Sequence, residues 1–170
     1  MKQIAVAGYS GDIDISHRRS VERFIELIKN MCSKNIVLLL GGYWGVMKIV
    51  VDKAVELGLP VVLFLPIEEE DVRVPENVIV IKSGLSYRLR SVAMVRSANA
   101  VVVLGGASGT IQEAVTAYTE GKPVFVLKTG LDSDKLQYLS PYIDNRLLSK
   151  IEIFENVEDL VQNLCKTLSD

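Results

Sequence analysis

Metal-ligating and disulfide-forming residues are scarce in this chain. It has one histidine, His17, and two cysteines, Cys32 and Cys165, with no CxxC pair. A metal centre draws on several such ligands at short spacing, so none is expected, and no resident cofactor is required. The cysteines lie far apart inside helical patterns and read as core thiols of a protein kept in a reducing cytoplasm. Charge of one sign is not in surplus either: 19 Lys and Arg face 21 Asp and Glu, a net charge of −2. That balance offers no basic footprint for a long polyanion, which argues against a nucleic-acid partner. Apolar runs at 36–40, 60–65 and 100–104 are too short to span a bilayer, which argues against a membrane partner. The chain opens on a strand-like Met1–Gly8 instead of a leader, so a cytoplasmic location is expected. Two nucleotide signatures are also missing. The turn after the first strand reads Gly8-Tyr9-Ser10-Gly11, not GxGxxG, and Gly121-Lys122 runs into Pro123 with no GxxxxGK[ST] anywhere. These absences exclude a conventional dinucleotide dehydrogenase and a P-loop ATPase.

What is present is an alternation of apolar runs and helical periodicity. Strands are expected at 4–7, 36–40, 61–65, 78–81, 100–104, 124–127 and 151–154. Helices are expected at about 16–33, 44–57, 85–98, from the second glycine cluster to about Glu120, and from Val157 onward. In the first helix Val21, Phe24, Ile25, Ile28 and Met31 should face inward, and His17 should lie on the surface. Uninterrupted apolar strands separated by helices indicate a mainly parallel sheet covered on both faces, an α/β, three-layer Rossmann-like fold. With 49 % hydrophobic residues and no internal boundary, the chain reads as one domain over 1–170.

Two glycine clusters stand where strands turn into helices: Gly41-Gly42-Tyr43-Trp44-Gly45-Val46-Met47 and Gly105-Gly106-Ala107-Ser108-Gly109-Thr110. Such a turn bares the unpaired N–H groups and positive dipole end of the helix, with no side chain in the way of an anion. Two of them at the carboxyl edge of one parallel sheet favour a small phosphate-bearing ligand, the position where such sheets bind ligands. Gly8, Tyr9 and Ser10 belong to the same edge, and Tyr9 and Ser10 add donors.

At this level of detail the chain resembles the LOG (Lonely Guy) family, long misnamed lysine decarboxylases. Its superfamily also holds molybdenum-cofactor carrier proteins and the Rossmann part of DNA-processing protein A. The first cluster matches the family's GGGxxGLM-type motif. Gly105-Gly106-Ala107-Ser108-Gly109-Thr110-Ile111-Gln112-Glu113 matches PGGxGTxxE without a gap, and Arg90 with Met94 reproduces the arginine and methionine upstream of it. The resemblance implies a phosphate- or nucleotide-binding site built from both motifs and a homodimer. It also implies that Arg90 and Glu113 cleave the N-glycosidic bond of nucleoside 5′-monophosphates. A carboxylate near the anomeric carbon suits an oxocarbenium-like transition state, and a guanidinium suits phosphate or ribose oxygens. The chain departs from the enzyme pattern at Gly105 for proline, Ala107 for glycine, Gln112 for glutamate and Lys48 after Met47. These departures lean towards the carrier branch, in which a nucleotide or molybdopterin-type ligand is held and nothing is cleaved.

Three features keep two readings each. Thr110-Ile111-Gln112-Glu113 is also a capping box, in which Glu113 would reach back to its own helix. The helix after the first cluster is apolar on more than one face, through Trp44, Val46, Met47, Ile49, Val50, Val51, Ala54, Val55 and Leu57, which points to a partner subunit. The aperiodic stretch 129–150 either covers the ligand or only connects strands.

Overall fold

The computed structural model describes residues 1–32 and 35–169. Its seven strands are β1 (Lys2–Ala7), β2 (Ile36–Leu40), β3 (Val61–Leu65), β4 (Ile79–Lys82), β5 (Ala100–Val103), β6 (Val124–Leu127) and β7 (Ile151–Phe154). They form one sheet in the order β4-β3-β2-β1-β5-β6-β7, and every pairing is parallel. The expected Rossmann-like α/β fold is therefore present. β2, β5 and β6 are buried at every position, which is why they read as unbroken apolar runs. β4 and β7 lie at the edges and are more exposed; Lys82 closes β4 in solvent, a charge that discourages a further strand from pairing.

Side chains alternate across the sheet into two cores. Ile4 and Val6 of β1 join the core under α1 (Ile15–Met31), α2 (Gly45–Glu56) and α5 (Val157–Ser169). Ala5 and Ala7 join the opposite core, under α3 (Tyr87–Ser97) and α4 (Ser108–Thr119). α1 starts at Ile15 because Asp14 caps it, its Oδ1 accepting from the His17 N–H at 2.8 Å. Val21, Phe24, Ile25 and Ile28 face inward as expected, whereas Met31 in the last turn is half exposed. The expected end of this helix at Ser33 lies outside the described residues.

Two expectations need correction. His17 is buried, and its Nε2–H donates to the Leu104 carbonyl at 2.7 Å, just past the end of β5. A carbonyl only accepts, so that hydrogen bond fixes the imidazole tautomer. Cys32 and Cys165 are not separate thiols: they form a disulfide joining the end of α1 to α5 across 133 residues of chain. No local spacing signals that bond, because α5 reaches α1 only after the chain has crossed the whole sheet.

The apolar surface of α2 is covered within the chain only in part, Trp44, Ile49, Val55 and Leu57 staying half-buried. Val46, Met47, Val50, Val51 and Ala54 are buried, and α1 packs on the helix from the side the sheet does not reach. The stretch 129–150 contains a 3-10 segment, Asp132–Leu139, whose Leu136 is buried. Asp134 accepts from the Thr129 and Gly130 N–H groups, and Asp144 is tied to the Tyr118 hydroxyl of α4. No helix is long and apolar enough to cross a membrane among the described residues.

Candidate functional site

The chain builds β1 to β4 outward on one side and then returns to lay β5 on the other side of β1. Adjacent strands whose connections leave in opposite directions open a crevice at their carboxyl ends, so the turns after β1 and β5 define the expected site. A cavity of about 540 Å³ lies there. Its wall is made by Gly8, Tyr9 and Ser10 after β1, Trp44 and Met47 at the start of α2, and Tyr87, Arg88, Arg90 and Ser91 of α3. Ala107, Ser108, Gly109, Thr110, Gln112 and Glu113 of the β5–α4 turn complete it. No residue of 129–150 contributes; instead the Ser133 N–H donates to the Gly106 carbonyl at 2.9 Å and braces the second glycine turn from behind.

The glycines of the first cluster make room for the protein's own groups. A Cβ on Gly41 would overlap the Arg90 guanidinium, and one on Gly42 would overlap the Trp44 indole. Gly45, at φ +52°, would meet the Tyr9 carbonyl, which already accepts the Val46 N–H at 2.8 Å. The N-terminus of α2 is thus docked on the β1 turn, and Gly41, Gly42, Gly45 and Val46 stand behind the cavity wall, not in it.

The second cluster is different. α4 starts at Ser108 from Ala107, with no side-chain cap, and its first turn opens into the cavity. A Cβ on Gly109 would meet nothing within 4 Å. Gly106 makes room for Thr110, and Gly105, at φ +86°, backs onto His17 and Thr129; these two lie behind the wall. The free N–H groups of a first helical turn together with the dipole favour an anion at this end.

Arg90 and Glu113 meet across α3 and α4. Arg90 Nη1 lies 3.1 Å from Glu113 Oε1, and both side chains are less than a tenth exposed. Ser91 joins them: its hydroxyl donates to the same Oε1 at 2.7 Å and accepts from Arg90 Nη1 at 2.9 Å. Glu113 Oε2 is left without a protein partner among the described residues. Burial pushes the Glu113 carboxyl above its ordinary value, against the opposing pull of Arg90 and Ser91. Burial likewise lowers Arg90, with Glu113 opposing; a guanidinium stays protonated regardless. The capping-box reading of Glu113 is set aside by this geometry. The helix begins two residues before Thr110, and Glu113 reaches across to α3 instead of back to its own N-terminus.

Of the residues singled out from sequence, Gly8, Tyr9, Ser10, Met47, Arg90, Ala107, Ser108, Gly109, Thr110 and Glu113 share the cavity. Met94 does not; one turn beyond Arg90 it is fully buried in the core below α3. Ser91, Arg88 and Trp44 are site residues that motif reasoning passed over. Trp44 was legible only as an apolar residue of α2. Ser91 carried no signal beyond its place beside Arg90.

The fold and the cavity define a doubly wound α/β protein with an open cleft at the switch point. The chain belongs to the SLOG cluster4 family, whose model matches residues 1–161, and this bears out the LOG-type resemblance. It is 34% identical over 134 residues to an uncharacterized protein of Archaeoglobus fulgidus, covering 75% of this chain and 81% of that one. Among solved structures it is similar to TM1055, at 31% identity and a TM-score of 0.80, covering 96% of this chain and 98% of the other. It is also similar to the molybdenum cofactor carrier protein MCP from Chlamydomonas reinhardtii, at 23% identity and a TM-score of 0.78, with both chains covered in full at 100%. At that identity the likeness shows a shared fold.

Proposed function

We propose that this protein binds a small phosphate-bearing ligand, a nucleotide or a molybdopterin-type molecule, in the switch-point cavity, with the phosphate at the N-terminus of α4. The observation that carries the reading is that first turn: it has no side-chain cap, opens into the cavity, and has glycine at 109 with open space beside it. Arg88, which forms no ion pair among the described residues, lines the same cavity and adds a cation. A volume of about 540 Å³ suits a ligand of this size. The likeness in fold to a molybdenum cofactor carrier supports the pterin arm of the proposal.

A second reading, hydrolysis of nucleoside 5′-monophosphates, is favoured by one observation: Glu113 faces the cavity with Oε2 free of protein partners among the described residues. There it would stabilise positive charge at the anomeric carbon and orient a water. The water oxygen bonds to that carbon as the carbon–nitrogen bond breaks, and the water proton leaves with the base. Arg90, already engaged by Glu113, would hold ligand oxygens with its remaining donors.

One experiment separates the two. Purified protein is incubated with a panel of nucleoside 5′-monophosphates, free base is followed by chromatography, and binding is measured in parallel, with Glu113→Gln as control. Base release that disappears in the variant establishes the hydrolase, and tight binding without release establishes a carrier or sensor. We further propose that residues 1–170 act as one ligand-binding domain, a reading supported by the family match over 1–161. A homodimer is proposed across the outer face of α2, where Ile49, Val55 and Leu57 are only half-buried. Sedimentation at micromolar concentration tests it, and a monomer alone would remove it.

A further inference from the structure

The part of the cavity wall contributed by the starts of α2 and α3 carries two aromatic rings, Trp44 and Tyr87. Trp44, the residue before α2, has extended backbone (φ −152°, ψ 164°) and makes no side-chain cap for the helix it precedes. The bare backbone of Gly42 lies against the six-membered ring of its indole, close enough that a Cβ there would collide with it. Tyr87, in the first turn of α3, meets the indole edge-on, with centroids 6.3 Å apart and planes at 71°. The Tyr87 hydroxyl is itself held, donating to Glu69 Oε1 at 3.2 Å. The indole is therefore fixed by glycine backbone and by an aromatic edge, yet it is only half-buried and lines the cavity. A tryptophan needed only for the core would be covered by apolar side chains. This one is fixed in orientation and left open towards the space in which the ligand is proposed to sit.

We propose that Trp44 is the stacking platform for a planar heteroaromatic ring, and that it makes the site select nucleotides or pterins over sugar phosphates that lack such a ring. The inference rests on the phosphate-binding reading above and deepens it by assigning two parts of the cavity wall. The phosphate lies at Ser108–Gly109 and Arg88, and the ring lies on Trp44, braced by Tyr87. A flat π-face accepts any base, so the platform sets the class of ligand and leaves the identity of the base to other groups.

Trp44 is the sole tryptophan of the chain, so its emission reports on this wall alone. Guanosine 5′-monophosphate, cytidine 5′-monophosphate and ribose 5-phosphate are titrated by calorimetry, and Trp44 fluorescence is followed in parallel. The expected result is that both nucleotides perturb the emission and bind roughly ten-fold or more tighter than ribose 5-phosphate, the scale of one base stacked on one aromatic ring. Trp44→Ala should collapse that ratio towards one, and Trp44→Phe, which restores a ring, should recover much of it. Equal affinities for nucleotide and ribose 5-phosphate in the unaltered protein would overturn the inference while leaving phosphate binding in place. A Trp44→Ala variant that loses both ligands by the same factor would also overturn it, since a merely structural role moves both. Failure of all three ligands to bind would overturn the phosphate-binding reading and the platform with it.

Discussion

Gly41→Ala should be among the most damaging single-methyl changes in this protein, although Gly41 touches no ligand in the proposed site. The added Cβ would overlap Arg90 Nη1 and Cζ and would stand 2.7 Å from even the farther nitrogen, Nη2. Ordinary contact needs about 3.5 Å, so the guanidinium must move by roughly an ångström or more. It has little freedom to do so, because Nη1 is held by Glu113 Oε1 and Ser91 Oγ and the side chain is buried. Moving it strands a buried carboxylate, and losing one partner of a buried pair costs about 3–5 kcal/mol. In a chain of this length each kcal/mol shifts the melting temperature by about 2–4 °C, so the variant should melt roughly 6–20 °C lower. Calorimetric or circular-dichroism melting measures this directly. If Gly41→Ala melts within a degree or two of the unaltered protein, the Arg90–Glu113 pair is not braced by the first glycine motif and the account of that motif is wrong.

Gly109→Ala should do the reverse. With nothing within 4 Å of its Cβ, the alanine gains helix propensity of about 0.5–1 kcal/mol, while its methyl intrudes on the proposed phosphate position. A higher melting temperature with weaker ligand binding is expected, and unchanged binding would move the phosphate elsewhere. Reducing the Cys32–Cys165 bond, which spans 133 residues, should cost up to about 5 kcal/mol by the loop-entropy relation. Melting with and without dithiothreitol measures it, and two titratable thiols in the native, unreduced protein would refute the pairing. The Glu113 carboxyl is raised by burial, so its contribution to stability is complete below the ordinary carboxylate pKa and is lost as pH rises through the raised value. Glu113→Gln should remove that loss from the stability–pH curve above about pH 4, and an unaltered slope would show that Glu113 does not titrate as described.

Much of the sheet was legible because parallel strands buried on both faces must be apolar throughout. β2, β3, β6 and β7 match their expected spans, and β4, an edge strand with weaker patterning, shifts by one residue. Short-range signals also carried the helices, to within two residues at the start of α1 and at both ends of α3. What escaped depended on contacts made by topology. His17 is buried because its helix crosses the end of β5, and Cys165 meets Cys32 because the last helix returns beside the first. Ser91 joins the buried pair because α3 and α4 lie side by side, a fact no window along the chain contains.

The two glycine motifs show the same limit at the site itself. As strings they invite one explanation, a turn cleared of side chains so that a ligand can approach a helix. In the fold, what clears the space differs from what fills it. Opposite Gly41, Gly42 and Gly45 stand Arg90, Trp44 and the Tyr9 carbonyl, so the first motif holds the protein's own functional groups at close range. Opposite Gly109 stands open space, so the second motif leaves room at the place proposed for the phosphate. The division of labour follows from the strand order: α4 opens at the switch point between β1 and β5, while α2 follows β2, one strand away from it. A glycine after a strand therefore marks a close approach, and only the partner placed there by the topology decides whether that approach is structural or functional.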